Sequence, residues 1–255
     1  MFPRRIHVCE AFGIPIYLDF SFILLLVIFM MDFGSFTYGL SMALALAVSV
    51  TFHELGHALT ARGFGYRTRD ITLSLLGGCA SLTALPRKAW QELLTAAAGP
   101  AVSFTISGLC WAALSFVAKY GDSSQWLAIV LVYSMYMNLM LGAFNLLPGF
   151  PMDGGRIFRS LARIFTTRAK ATFVAMWVGR VFAVLLGLRG LHSMFAGGSW
   201  GFISILIAWM IWREGWREYQ MALAEEAWGG RWDYSARVSP PPYGGDGDET
   251  EVRRR

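Results

Sequence analysis

Charge is what this 255-residue chain has least of. Asp, Glu, Lys and Arg together make up 15% of it, against about 25% in an ordinary soluble domain. That shortage argues against a soluble globular enzyme and against a disordered chain. Cysteine is scarce too. Cys9, Cys79 and Cys110 are too few and too scattered for a disulfide framework, and none forms a Cys-x-x-Cys zinc pair. Each reads as a small apolar residue. No internal repeat of solenoid length is present. Histidine is rare, four in all, so any grouping of it is informative.

What is abundant is apolar. Hydrophobic residues make up 55% of the chain, and the mean hydropathy is +0.47. These figures point to a membrane protein. A spanning helix needs about 20 mainly apolar residues. Six candidates are present, at 16–31, 40–61, 90–117, 126–147, 171–188 and 194–212. The first is short, contains Asp19 and lies shortly after Arg4 and Arg5. Those features also suit a signal peptide, but no small-x-small cleavage site precedes the next apolar run, so it is read as a span.

Basic charge tests this map. There are 22 Lys+Arg against 17 Asp+Glu, a net charge of +5. With a cytoplasmic N-terminus, 19 of the 22 basic residues fall on the cytoplasmic side; Lys119 and Arg189 fall outside and Arg180 within the fifth span. The surplus therefore reads as orientation, with both ends cytoplasmic, and not as a nucleic-acid signal. Arg180 either faces the bundle interior or snorkels to an interface. Trp126, Trp200, Trp209 and Trp212 suit interfacial anchors.

Two connections are not ordinary loops. In 67–85, the run Ile71, Thr72, Leu73, Ser74, Leu75 alternates apolar and polar and leads to Gly77-Gly78, which predicts a small hairpin or sheet. In 145–155, two prolines and three glycines interrupt an apolar stretch; irregular backbone at that depth belongs against protein or a water-filled cavity. The third span carries Gly99, Ser103 and Ser107 as a stripe of small residues, which suits close helix packing. After Trp228 the composition turns to Gly, Pro and mixed charge, predicting a disordered cytoplasmic tail at 229–255 behind one domain at 1–228. The fold expected is an all-α polytopic membrane protein of about six helices, with the small sheet near the cytoplasmic interface after the second.

The sharpest signal is Thr51-Phe52-His53-Glu54-Leu55-Gly56-His57. On a helix, His53 and His57 lie one above the other on one face. That spacing suits two ligands of a tetrahedral zinc, with Glu54 beside them to take a proton from water. At this chain's composition, random order yields the pattern about 0.002 times. Three ionisable groups inside a span are also costly, which favours function over accident. A catalytic zinc needs a third protein ligand. His7 and His192 lie near a terminus or on the outer side; Glu92 and Asp153 remain. Asp153 sits in the Pro/Gly-interrupted segment, where spacing alone makes it as much a helix cap as a ligand.

In their order, His53-Glu54-Leu55-Gly56-His57, the Ala98-Gly99-Pro100 element and Asn145-Leu146-Leu147-Pro148-Gly149-Phe150-Pro151-Met152-Asp153-Gly154 resemble the site-2 protease family of intramembrane zinc metalloproteases. The resemblance covers most of the chain, about 13–213. It implies one Zn²⁺ held by His53, His57 and Asp153, with Glu54 activating water. It implies that Asn145 contacts substrate or stabilises the reacting carbonyl. It also implies regulated intramembrane proteolysis of a membrane-spanning protein substrate, in a multi-pass protein of the cell (inner) membrane. The chain departs from the family in Met152 for Leu, a volume-conserving change. It also has Ser103 where many members carry Asn. The 43 residues after Trp212 are too few for the nucleotide-sensing pair of domains some members append, so control through such a module is not expected. The alternating strand at Ile71, Thr72, Leu73, Ser74 and Leu75 either offers an unpaired edge to an extended substrate or caps the site. Two competing readings stay open. One is a prenyl-protein-processing zinc peptidase with a downstream glutamate ligand. The other is a non-enzymatic membrane protein that binds haem or an ion through His53 and His57.

Overall fold

The computed structural model describes residues 5–31, 35–74, 77–82, 88–120, 125–197 and 201–227. The chain opens as a hairpin. Strands β1 (Arg5–Ala11) and β2 (Ile14–Asp19) pair antiparallel. Their two-residue turn puts Phe12 and Gly13 at φ 54° and 75°, the backbone that a tight hairpin of right-twisted strands requires. Arg62 Nη1 donates to the Phe12 carbonyl at 2.7 Å and ties this turn to a helix fifty residues away. β2 then runs parallel to β3 (Thr68–Ser74), with Ile16 opposite Ile71, and β4 (Gly77–Leu82) pairs antiparallel to β3. The sheet order is β1-β2-β3-β4.

The expected first span at 16–31 is therefore corrected. Its start is a strand, and the remainder, α1 (Phe20–Met31), has 12 residues. At 1.5 Å per residue it reaches only about 18 Å, short of a hydrocarbon core of about 30 Å. Asp19, the odd charge in that run, caps α1 by accepting the Ser21 N–H at 2.8 Å. The expectation of an all-α chain with a hairpin after the second helix misses this N-terminal half of the sheet.

The remaining helices are α2 (Phe36–Gly63), α3 (Ala89–Tyr120), α4 (Gln125–Asn145), α5 (Asp153–Ala162), α6 (Arg168–Phe195) and α7 (Gly201–Ala227). Among the described residues, four are long and apolar enough to cross a membrane: α2, α3, α4 and α6. The expected sixth span at 194–212 is broken where α6 ends at Phe195 and Gly197 takes φ 77°. α7 is apolar only to Trp212, then carries Arg213, Glu214, Arg217 and Glu218. The tail at 229–255 and Trp200 lie outside the described residues.

One face of the sheet packs on α2. Ile14, Ile16, Ile71 and Leu73 bury themselves against Phe22, Val50, Leu55 and Ala58, each large side chain contributing about 1.5–3 kcal/mol. The outward faces of α3 and α6 stay apolar and exposed, with Leu109, Trp111, Phe116, Val181, Leu185 and Leu188. A surface that apolar suits lipid contact. The Arg180 guanidinium stacks on Trp177, Trp212 and Trp216, at 4.9, 4.5 and 5.5 Å from the ring centres. Trp212, expected as an interfacial anchor, is part of that aromatic box.

Candidate metal centre

α2 brings His53 and His57 onto one face, their rings edge-on with centroids 4.9 Å apart. The irregular segment after α4 delivers Asp153 as the first residue of α5. The helix cap is Met152, not Asp153, so the capping alternative for Asp153 is overturned. Instead, Asp153 Oδ2 lies 3.1 Å from His53 Nε2 and 3.1 Å from His57 Nε2. The three groups are the one cluster of potential metal ligands among the described residues, with all ligand atoms within 4.8 Å of one another. Burial pushes the Asp153 carboxyl up. The charge of His57, the hydrogen bonds of both imidazoles and nearby Arg156 outweigh it and hold the carboxyl below its ordinary range.

Do these residues fit an ion? Tetrahedral ligands at about 2.0–2.1 Å from zinc stand roughly 3.3 Å apart, close to the 3.1 Å found. The far side of each ring is already held. His53 Nδ1 meets Ser103 Oγ at 2.9 Å, and His57 Nδ1 donates to the Thr95 carbonyl at 2.7 Å. These contacts orient both rings with Nε2 turned toward Asp153 and able to ligate. Space for the ion is kept by Gly99, where a Cβ would collide with His57 Nε2 and stand 2.7 Å from His53 Nε2. Beside the cluster, Glu54 is 7% exposed. It lies against Gly78 of β4, where any Cβ would overlap its side chain. The sheet thus covers the carboxylate, and the structure places His53, His57, Asp153 and Glu54 together.

Other expected residues fall elsewhere. Glu92 is no ligand; it is bound by Arg159, Arg163 and Arg168. The Asn145 side-chain amide donates to the Leu141 carbonyl of its own helix at 2.9 Å, and Asn145 is not in the ligand cluster. Ile71, Thr72, Leu73 and Ser74 lie in β3, which pairs with β2 on one side and β4 on the other. The unpaired edge expected there does not exist; β3 is interior because β2 arrives from the N-terminus. Leu75 lies outside the described residues. Sequence reasoning misses Thr95 as the His57 partner. It takes Ser103 only as a departure and Gly99 only as packing. The Gly99, Ser103 spacing is the available signal.

A bundle of apolar helices enclosing two histidines, an aspartate and an adjacent buried glutamate defines a helical membrane protein built around one small metal centre. The chain belongs to peptidase family M50, whose profile matches residues 41–122 and 116–188. It is 34% identical over 226 residues to a putative zinc metalloprotease of Synechocystis, covering 82% of this chain and 58% of that protein. It is 36% identical over 192 residues to a zinc metalloprotease of Methanocaldococcus jannaschii, covering 74% of this chain and 55% of the relative. The chain thus spans little more than half the length of these curated relatives. Among solved structures, a site-2 protease from Methanocaldococcus jannaschii superposes with a TM-score of 0.64 at 33% identity, covering 84% of this chain and 95% of that one.

Proposed function

We propose that this chain is a zinc-dependent intramembrane endopeptidase that hydrolyses peptide bonds in or near transmembrane segments of membrane-tethered proteins. The observation that carries the reading is the single Asp153 oxygen 3.1 Å from both His53 Nε2 and His57 Nε2, with Glu54 buried beside them. His53, His57 and Asp153 would hold the ion. When bound, zinc supplies Lewis acidity to a peptide carbonyl and makes water nucleophilic near neutral pH. Glu54 takes the proton from the attacking water and returns it to the leaving nitrogen. Covered by β4, it does so out of bulk solvent.

A transmembrane helix hides its carbonyls in its own hydrogen bonds, so the substrate must unwind before attack. Among the described residues β4 is paired only with β3, and its Gly78 touches Glu54. An unwound segment would pair along the outer edge of β4 and bring its backbone past the carboxylate. One N–H of the Asn145 amide is held by Leu141; its second N–H and its carbonyl oxygen are the groups it would offer a substrate. The ten basic residues at 62–88 and 156–170, which follow α2 and α4, orient the site toward the cytoplasm of the cell membrane, so cleavage frees the cytoplasmic part of the substrate. Co-expression with candidate tethered substrates tests the reading. Glu54→Gln should abolish cleavage with zinc retained, and Asp153→Ala should lose both. Full proteolysis by a zinc-loaded Glu54→Gln chain refutes it.

A further inference from the structure

Six residues after Asp153, on the same short helix, sits an arginine that the proposed hydrolysis does not use. Arg159 is 2% exposed. Its Nε donates to Glu92 Oε1 of α3 at 2.8 Å, and its Nη1 donates to Glu218 Oε2 of α7 at 3.1 Å. Its guanidinium also lies over the Phe150 ring, 4.8 Å from the centroid. Phe150 is fully buried in the segment that leads into Asp153. One side chain therefore grips α5, the turn before it, and two other helices. Glu92 stands one turn before Thr95, whose carbonyl fixes His57. The first turns of α3 thus hold one metal ligand directly and the helix of another through Arg159.

We propose that Arg159, with Glu92 and Glu218, is the positioning latch that sets Asp153 at ligating distance from the two histidines. Metal ligands are aimed by the groups behind them. His53 and His57 have Ser103 and Thr95 in that role, and they share one rigid helix. Asp153 comes after a Pro/Gly-interrupted turn and heads a ten-residue helix, too short to be rigid by itself. Something must fix its depth and rotation. A planar guanidinium engaging two carboxylates on two helices fixes both, which a single-point contact would not. Arg168 supplies the contrast. It reaches the same Glu92 at 3.9 Å and Glu225 at 3.2 Å, but it stands on α6 and carries no ligand.

The inference rests on the proposed metal site, and zinc affinity of the purified full chain tests both separately. The measurements are competition with a chromophoric chelator and the visible absorption of the Co²⁺-substituted protein, whose intensity reports ligand geometry. Arg159→Met should weaken zinc binding by about 10–100-fold and alter the cobalt spectrum. Arg159→Lys, able to hold one carboxylate but not fork between two, should fall between Met and wild type. Arg168→Met should lower thermal stability and cost clearly less zinc affinity than Arg159→Met, since it meets Glu92 only at 3.9 Å and stands on α6, which bears no ligand. The latch is overturned if folded Arg159→Met binds zinc like wild type while Asp153→Ala has lost it, or if Arg168→Met loses zinc to the same degree. If Arg159→Met does not fold, Glu92→Gln serves, keeping size and one acceptor: a several-fold loss supports the latch and wild-type affinity overturns it. Zinc retained by Asp153→Ala would overturn the metal site, and the latch with it.

Discussion

Gly99→Ala is the smallest change that tests the metal centre. The added Cβ would stand 2.7 Å from His53 Nε2 and closer still to His57 Nε2, where ordinary contact begins at 3.4 Å. His53 alone must retreat by about 0.7 Å, against a tolerance of about 0.2 Å in a metal–ligand bond. His57 cannot retreat freely, since its Nδ1 is held by Thr95 at 2.7 Å. A misplacement near 1 Å costs about 10²-fold in reactions that depend on alignment, and zinc affinity should fall by a similar factor. The zinc dependence of the stability change separates this account from ordinary damage. In a helix interior Ala is favoured over Gly by about 1 kcal/mol, which offsets part of the overlap in the metal-free chain, so the zinc-induced rise in Tm should shrink by more than the metal-free Tm falls. The assay is thermal unfolding with and without zinc, beside chelator competition. A Gly99→Ala chain with wild-type zinc affinity and proteolysis would refute the claim that this glycine keeps the ion's space.

Gly78→Ala should act on the other half of the chemistry. Its Cβ overlaps Glu54, so kcat should drop by about 10²-fold or more with zinc content unchanged; parallel loss of zinc would sink that assignment. Ser103→Ala removes the partner of His53 Nδ1 and should weaken zinc binding about 10-fold, with Ser103→Asn restoring part of it if an amide reaches the ring. Glu218 gives a pH prediction. Burial raises its carboxyl, but Arg159 and Arg156 outweigh that and hold it below its ordinary value of 4.5. Its stabilising contribution is complete above that value and disappears as pH falls through the lowered one. The acid limb of a stability-against-pH curve should therefore flatten in Glu218→Gln, and an unchanged limb would contradict the pairing.

How much of this the sequence shows depends on the range of each interaction. The histidine pair is local, fixed by a four-residue spacing on one helix, and can be read directly. Asp153 is ambiguous by spacing and needs the resemblance, because its partners lie about a hundred positions away. The N-terminal sheet escapes for a related reason. An apolar run merges Ile14–Asp19 with Phe20–Met31, and hydropathy sums composition while ignoring period. The alternation of buried Ile14 and Ile16 is a strand signal, but its pairing partner Ile71 is far along the chain. That distant pairing also turns β3 from an edge into an interior strand. The Arg159 latch is invisible for the same cause: basic residues near the cytoplasmic side read as topology, and only the fold shows Arg159 buried against two carboxylates.

The stripe on α3 shows what such a pattern is for. Glu92, Thr95, Gly99 and Ser103 are spaced by three, four and four residues, so at 100° per residue they fall within about 80° of arc on one face. Every one of them meets the metal centre or the helix that completes it. Glu92 binds Arg159, the Thr95 carbonyl holds His57, Gly99 leaves room beside both Nε2 atoms, and Ser103 holds His53. Close helix packing explains Ser107, which donates to the Met135 carbonyl of α4 at 2.9 Å. It does not explain why the preceding turns of that face need a carboxylate, a carbonyl, no side chain and a hydroxyl in that order. Those four demands are chemically different and come from one site. α3 supplies none of the three proposed ligands, yet its helical period places a group behind each of the two histidines and behind the helix that carries Asp153.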